Sequence, residues 1–258
     1  MTRSHTSFIK KIYDGYANRP EGYEYQRWRK DLYCKRDFEQ TLKSLLYHVG
    51  DRHFGGILEI GCGVGTWTVH LRNYCESITV MDISKSMVEI TLSRLRQLNF
   101  HKISGIVGDF QVPCLGINEK YDAIFCIRAI EYMENKTSVL SNMYRLLNPD
   151  GFVFIVTKNP HRGLIPFLSL ITKKTILKLP KAFEHEIDCK NLLVSMRKAG
   201  FTDLNVYPVV VSYPRPLFSA RNEVLLSNVI FDSTYKKRLN PFYLPFCIIE
   251  SYCVTARK

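Results

Sequence analysis

The chain has 258 residues, with 36 Lys and Arg against 24 Asp and Glu, a formal charge of +12. Its 46% apolar and 23% charged content is ordinary globular usage and excludes a disordered chain. No apolar run nears the ~18 residues of a membrane span, and the length suits one elaborated domain with its own hydrophobic core.

In chain order, residues 6–17 and 36–49 read as helices. In the second, Phe38, Leu42, Leu45, Leu46 and Val49 recur at helical spacing. Between them lies EGYEYQRWRKDLY, polar and aromatic, where Pro20 and Gly22 predict an irregular break. ILEI (57–60) is a buried-strand signal that runs straight into Gly61-Cys62-Gly63-Val64-Gly65, and a helix is predicted from Thr66 to Asn73. Strands follow at 77–82, 103–109, 121–127 and 152–157. Helices separate them at 84–98, with Ser84 as N-cap, and at 137–147, closed by the turn-forming run Asn148-Pro149-Asp150-Gly151. Strands alternating with helices predict an α/β protein with a mainly parallel sheet and helices on both faces. Past Pro160 lies an apolar and basic insertion (161–183), then a helix over 189–200 ending at Gly200. Two late strands, 204–212 and 246–256, flank an irregular connection over 213–242 containing Pro214, Pro216 and Pro241.

The charge is uneven. Residues 1–55 carry 11 basic and 7 acidic groups (+4), residues 56–160 carry 10 of each, and residues 161–258 carry 15 and 7 (+8). The eight cysteines form no CxxC pair and no zinc spacing, which predicts buried reduced thiols. The first residues, MTRSHTSFIKKIYDGY, lack the apolar stretch of a secretory signal. Both features predict a cytoplasmic protein.

The strongest chemical signal is Leu58-Glu59-Ile60-Gly61-Cys62-Gly63-Val64-Gly65, a strand opening into a glycine loop. Glycines permit a sharp turn and close approach of backbone to a ligand. The GxGxG spacing departs from the dinucleotide fingerprint, which needs a further small residue where Thr66 stands. Glu59 precedes the loop, and Asp82 ends the next strand, where a carboxylate can accept both hydroxyls of a ribose.

Taken with VMDISKSM (80–87), GDF (108–110), YDAIFCIRAIEYM (121–133) and LLNPDG (146–151), these residues resemble the class I S-adenosylmethionine-dependent methyltransferases. Within that family the chain looks most like the small-molecule group (methyltransferase type 11, quinone-biosynthesis-like). The resemblance is clear over 55–160 and implies a Rossmann-like sheet of seven strands, the last antiparallel. It also implies an N-terminal helical lid (1–54), a cofactor-binding core (55–160), and a cap insertion with final strands (161–258) in one methyltransferase domain. By the same resemblance, Gly61, Gly63 and Gly65 form the loop beneath the methionine part of S-adenosylmethionine, and Glu59 orients that loop and reaches the amino group. Asp82 takes the ribose hydroxyls, Ile83 lies against the adenine, and Asp109 and the Phe110 amide meet its edge. The backbone at Ile127 faces the methionine amine. Each has a plainer alternative: Glu59 as a cap of the loop, Asp82 as a helix cap, Asp109 as a turn residue. Cys62 reads as a small loop residue, with no base at defined spacing.

The stretch after the fourth strand looks like the Glu-x-x-Glu-His segment that binds a divalent metal in quinone O-methyltransferases, but here reads Arg128-x-x-Glu131-Tyr132. A cation replaces one carboxylate and a phenol the imidazole, so the expectation is methyl transfer without metal. Glu131 and Tyr132 are candidates beside the acceptor; the alternative is that Glu131 starts a helix and Tyr132 packs. His161 and His185 are candidate bases in loops expected over the mouth. Tyr13, Tyr16, Trp28 and Tyr33 belong to the expected lid, with Tyr16 assigned to the cofactor side.

The expected reaction is in-line methyl transfer to a small, apolar or aromatic acceptor, with oxygen ahead of nitrogen. An RNA or polyanion methyltransferase, suggested by the +12, lacks the base-holding Asn/Asp-Pro-Pro-aromatic tetrad after the fourth strand and any appended RNA-binding module. A non-catalytic binding protein on the same fold is the third reading. The segment 163–183 mixes apolar residues with Lys173, Lys174, Lys178 and Lys181. It suits a cap over the site, with contact to anionic lipid as a further expectation.

Overall fold

The computed structural model describes residues 5–112, 117–160, 185–212, 219–238 and 248–258. Helices α1 (His5–Ala17), α2 (Pro20–Trp28) and α3 (Leu32–Val49) precede the sheet. Then come β1 (Phe54–Ile60), α4 (Thr68–Leu71), β2 (Cys75–Asp82), α5 (Lys85–Gln97), β3 (Ile103–Val107), β4 (Tyr121–Ile127), α6 (Lys136–Leu146) and β5 (Leu147–Lys158). The chain continues through α7 (Cys189–Ala199), β6 (Thr202–Val211), α8 (Ala220–Thr234) and β7 (Ile249–Arg257).

The sheet order is β3-β2-β1-β4-β5-β7-β6. The first five strands in that order pair in parallel, and β7 runs antiparallel between β5 and β6. The expected Rossmann-like sheet of seven strands with one reversed strand is therefore present. Its two faces follow from the period-2 alternation of strand side chains. In β4, Ala123, Phe125 and Ile127 join one apolar cluster with Leu45 of α3 and Leu95 of α5. Ile124 and Cys126 join the other, with Leu140 of α6 and Leu192 of α7. Strands buried on both faces explain why they read as continuous apolar runs.

Several helix boundaries follow from their caps. Ser84 accepts from the Met87 amide at the start of α5, and Gly200 ends α7 at φ 107°, both as the sequence predicts. Elsewhere the structure departs from expectation. The stretch with Pro20 and Gly22 is helical, because Pro20 occupies the first turn, where no amide hydrogen is required. The Asn148–Gly151 turn lies inside β5 as an irregularity: Leu147 pairs with Tyr121 and Phe152 with Ala123, with Asp150 at φ 59° between them. The connection over 213–242 contains α8, whose Ser219 caps the Asn222 amide; the prolines bracket this helix rather than interrupt it. The helix over 66–73 shrinks to α4 plus a 3₁₀ turn (Arg72–Tyr74). Leu46 is 38% exposed, while α3 buries Arg36, Gln40, Ser44 and His48 on its inner side.

The insertion 161–183 lies outside the described residues. Among those described, Cys62, Cys75, Cys126, Cys189 and Cys253 are buried free thiols and Cys34 is half-buried. No described helix is long and apolar enough to cross a membrane.

Candidate active site

The strand order reverses at β1, whose neighbours are β2 and β4, so the connections leaving β1 and β4 diverge and open a crevice at their carboxyl ends. A cavity occupies that crevice. Its floor comes from Gly61, Gly63, Asp82, Ile83, Asp109, Phe110 and Ile127. Seven of the ten residues expected to meet the cofactor thus share one wall. Glu59, Gly65 and Tyr16 do not.

Close packing dictates the loop. Gly61 has φ 74°, and a Cβ there would fall 2.3 Å from that of Ala129 across the crevice. Any side chain at Gly61 would push the two loops apart. Gly61 and Cys62 donate their amides to the Met81 carbonyl, which ties the loop to β2. The Gly63 amide donates to Asp82 Oδ2 at 3.0 Å, and the Ser84 amide donates to Oδ1 at 3.0 Å. Asp82 therefore does what its plainer alternative says, capping the turn, while its carboxylate still faces the cavity. Burial pushes its carboxyl up, and the Ser84, Gly63 and Ile83 amides work against that rise. Asp109 accepts from Thr6 Oγ1 at 3.2 Å and from the Gln111 amide at 3.0 Å. Gly65 lies outside the wall, against Thr91.

Glu59 lies beneath the loop, 1% exposed, with neither carboxylate oxygen hydrogen-bonded to a described residue. Burial pushes its carboxyl up to about 8; the Thr68 hydroxyl opposes the rise and Asp82 adds to it. An unpaired buried acid is costly, and a cation arriving above it relieves that cost. Cys62 stands in the wall, but burial, with Asp82 and Glu59, drives its thiol pKa well up, so it is an inert neutral thiol.

Helices α1 and α2 close the opposite side. Thr6, Ile9 and Tyr13 come from α1, and Tyr23, Arg27 and Trp28 from α2. The two helices are latched to three loops: Thr6 to Asp109, Asp14 Oδ1 to Ser84 Oγ at 2.6 Å, and Glu24 Oε1 to Thr66 Oγ1 at 3.1 Å. Tyr16, assigned to the cofactor from the sequence, is 47% exposed on the outer side, packed on Tyr13 and Tyr23. Tyr13 takes the inward position instead. Tyr33 sits under the Arg36 guanidinium, away from the wall.

Beyond the loop the wall turns aromatic, with Tyr13, Tyr23, Trp28, Trp67 and Tyr132. Tyr132 meets Tyr13 edge-on at 5.8 Å, and the two phenols are hydrogen-bonded. Burial, and then the Glu131 charge, raises the Tyr132 pKa, which keeps the phenol neutral. Glu131 is absent from the wall. It is fully buried, receives Arg128 Nε at 3.1 Å and Thr157 Oγ1 at 3.2 Å, and is held below its usual pKa: burial acts upward, but Arg128 and Lys158 outweigh it. That engagement fits structure rather than proton transfer. Arg128 itself lines the cavity at φ 61°, with Nη1 on Ser251 Oγ at 2.9 Å. His161 lies outside the described residues. His185 is not in the cavity wall; its ring packs 4.3 Å from that of His5.

Sequence reading missed Tyr23, Arg27, Thr6 and Trp67 as wall residues. The first two were hidden because α2 was read as irregular, which removes the helical spacing that places Tyr23 and Arg27 four apart on one face.

A mainly parallel sheet closed by one reversed strand, its switch point opening onto a glycine loop, is the architecture of the class I S-adenosylmethionine-dependent methyltransferases, and this chain shares that fold. Residues 58–153 match the methyltransferase domain family. Among curated relatives, nodulation protein S of Azorhizobium caulinodans is 32% identical over 43% of this chain and 53% of its own length. The chain thus spans about half the length of that relative. Ubiquinone biosynthesis O-methyltransferase of Rickettsia typhi is 28% identical over 74% of this chain and 76% of its own. Among solved structures, the N-methyltransferase NodS from Bradyrhizobium japonicum WM9 with S-adenosylhomocysteine superposes with TM-score 0.61 at 14% identity, over 99% of both chains. At that identity the likeness is one of fold. The residues present suit the cofactor: Gly63, where a Cβ would meet nothing within 4 Å, leaves backbone open to a close-lying ligand, and the orphaned Glu59 suits a ligand with a cationic amine.

Proposed function

We propose that this chain transfers the cofactor's methyl group to a small, apolar or aromatic acceptor, with oxygen favoured over nitrogen as the attacking atom. The observation that carries the proposal is the aromatic lining of the cavity that also holds the glycine loop and Asp82, where Tyr13 meets Tyr23 and Tyr132, and Trp28 meets Trp67. Flat apolar surfaces hold a flat apolar acceptor, and their phenol groups orient its polar end.

In this reading Asp82 receives the ribose hydroxyls, Ile83 lies against the adenine with Asp109 and the Phe110 amide at its edge, and Glu59 with the Ile127 backbone answers the amino group. The cofactor supplies an activated methyl on a sulfonium. The acceptor's lone pair forms the new bond to that carbon while the carbon–sulfur pair stays on sulfur, and the acceptor's proton leaves to solvent or a base. The protein's part is alignment and the exclusion of water, which α1 and α2 provide by closing the crevice. Tyr132 donates a hydrogen bond to the acceptor. Glu131 positions Arg128 and takes no proton.

The test is transfer of a labelled methyl group to a panel of small phenols, catechols and aromatic amines, with RNA as a separate arm. Label in a phenol or catechol, reduced at least about tenfold in kcat by Tyr132→Phe, is expected. Label in RNA alone, or in none of the panel, overturns the proposal, and label confined to amines overturns the oxygen preference.

A further inference from the structure

His5 at the start of α1, Glu134 after the 3₁₀ turn Ile130–Tyr132, and His185 before α7 come from three distant parts of the chain. Their donor atoms nevertheless gather within 4.8 Å of one another. The two imidazoles meet edge-on with centroids 4.3 Å apart. His5 Nε2 is buried and has no hydrogen-bond partner among the described residues. Two histidines brought together off the cavity wall, both beside a carboxylate and one with a buried nitrogen that lacks a partner among the described residues, make a donor set whose chemistry suits a cation.

We propose that His5, Glu134 and His185 form a site for a divalent transition metal of the zinc class, which clamps the lid over the crevice. Two imidazole nitrogens and one carboxylate oxygen suit zinc better than magnesium or calcium, which prefer all-oxygen shells. Bonds of about 2.0–2.1 Å in a tetrahedral shell place donor atoms about 3.3 Å apart, so the trio needs to close by no more than about 1.5 Å on the ion and leaves the fourth position to water.

The location gives the site its consequence. None of the three ligands is in the cavity wall, but their neighbours Thr6 and Met133 are. The ion therefore sits at the rim, apart from the acceptor, and does not replace the Glu-x-x-Glu-His metal segment whose place here is taken by Arg128, Glu131 and Tyr132. It fastens the first turn of α1, which also carries the Thr6–Asp109 latch, to the chain leaving β4. Binding belongs to the apo-protein and does not depend on methyl transfer.

The experiment is a cobalt(II) titration of the tag-free full-length chain after chelator treatment, read by visible absorption and followed by zinc displacement. One equivalent of Co²⁺ with the intense bands of a low-coordinate N/O shell, displaced by Zn²⁺, is expected. His5→Ala with His185→Ala abolishes that spectrum, and Glu134→Gln weakens binding at least about tenfold. Zinc should also slow amide exchange in α1 of the native chain but not of the double variant. A pale six-coordinate spectrum or no uptake by the native chain overturns the site, and so does a sulfur-to-metal charge-transfer band, which would place the ion on cysteines. Tight binding with unchanged α1 exchange overturns the clamp. The native titration stands even if a variant fails to fold.

Discussion

At the scale of single residues, Glu59 carries the most information. With its carboxyl at about 8 when nothing lies above it, Glu59 is mostly protonated at pH 7. A cationic amine above the loop favours the ionised form, so cofactor binding must expel a proton. The sign follows from the direction: the free protein's pKa is raised, the complex's falls, and the release is largest between the two values, halves near pH 8 and fades above it. Calorimetry of S-adenosylhomocysteine binding at pH 7, repeated in buffers of different ionisation enthalpy, should show release of up to about 0.9 proton. Glu59→Gln should abolish it, and uptake or no exchange by the native chain would exclude Glu59 as partner to the amine. The residue's importance was legible in the sequence from its place before the glycines. Its burial and lack of partners were not, since both depend on how Thr68 and Asp82 pack around it. Tyr16 shows the opposite failure. It and Tyr13 lie one helical turn apart, and only the direction in which α1 docks decides which one faces the ligand.

At the scale of elements, α3 is tied to the C-terminal part of the fold by a buried charge network that no sequence pattern announces. Arg36 of α3, 1% exposed, holds Glu223 of α8 at 3.0 Å, Glu250 of β7 at 3.2 Å and its neighbour Asp37 at 2.7 Å. One side chain thus joins two helices and a strand. Removing one member of a buried pair strands the remaining charge, at a cost of about 3–5 kcal/mol. Arg36→Met should lower unfolding free energy by roughly that amount in a denaturant titration, with Glu223→Gln in the same background restoring part of it. A loss below about 1 kcal/mol would show that the network is solvated in solution. The partners stand 187 and 214 residues from Arg36, which is why α3 read as a simple apolar stripe from the sequence. Local signals fared better. The Ser84 cap and the Gly200 stop rest on short-range chemistry and appear where expected, whereas α8 was obscured by the prolines on either side of it.

For the whole molecule, the sheet and its switch point were legible because parallel strands buried on both faces leave continuous apolar runs separated by amphipathic helices. The glycine loop, Asp82 and Asp109 were legible for the same reason: each sits at the end of a strand whose position the pattern gives. The acceptor side was less so, because its wall is assembled from α1, α2 and the turn after β4, which meet only in three dimensions. The excess positive charge lies in the flanks, at +4 and +8 around a neutral centre. The only cations in the described cavity wall are Arg27 and Arg128, and Arg128 is already paired with Glu131. Among the described residues, the excess charge therefore lies outside the crevice.

The central claim is that this crevice holds S-adenosylmethionine through Asp82. The most direct measurement is calorimetric titration of S-adenosylhomocysteine into the native chain and into Asp82→Ala, with thermal unfolding followed alongside. The account predicts one-to-one binding by the native chain and at least about a hundredfold weaker binding by the variant, the equivalent of losing two charge-assisted hydrogen bonds. No binding by the native chain, or equal binding by a folded variant, would contradict it.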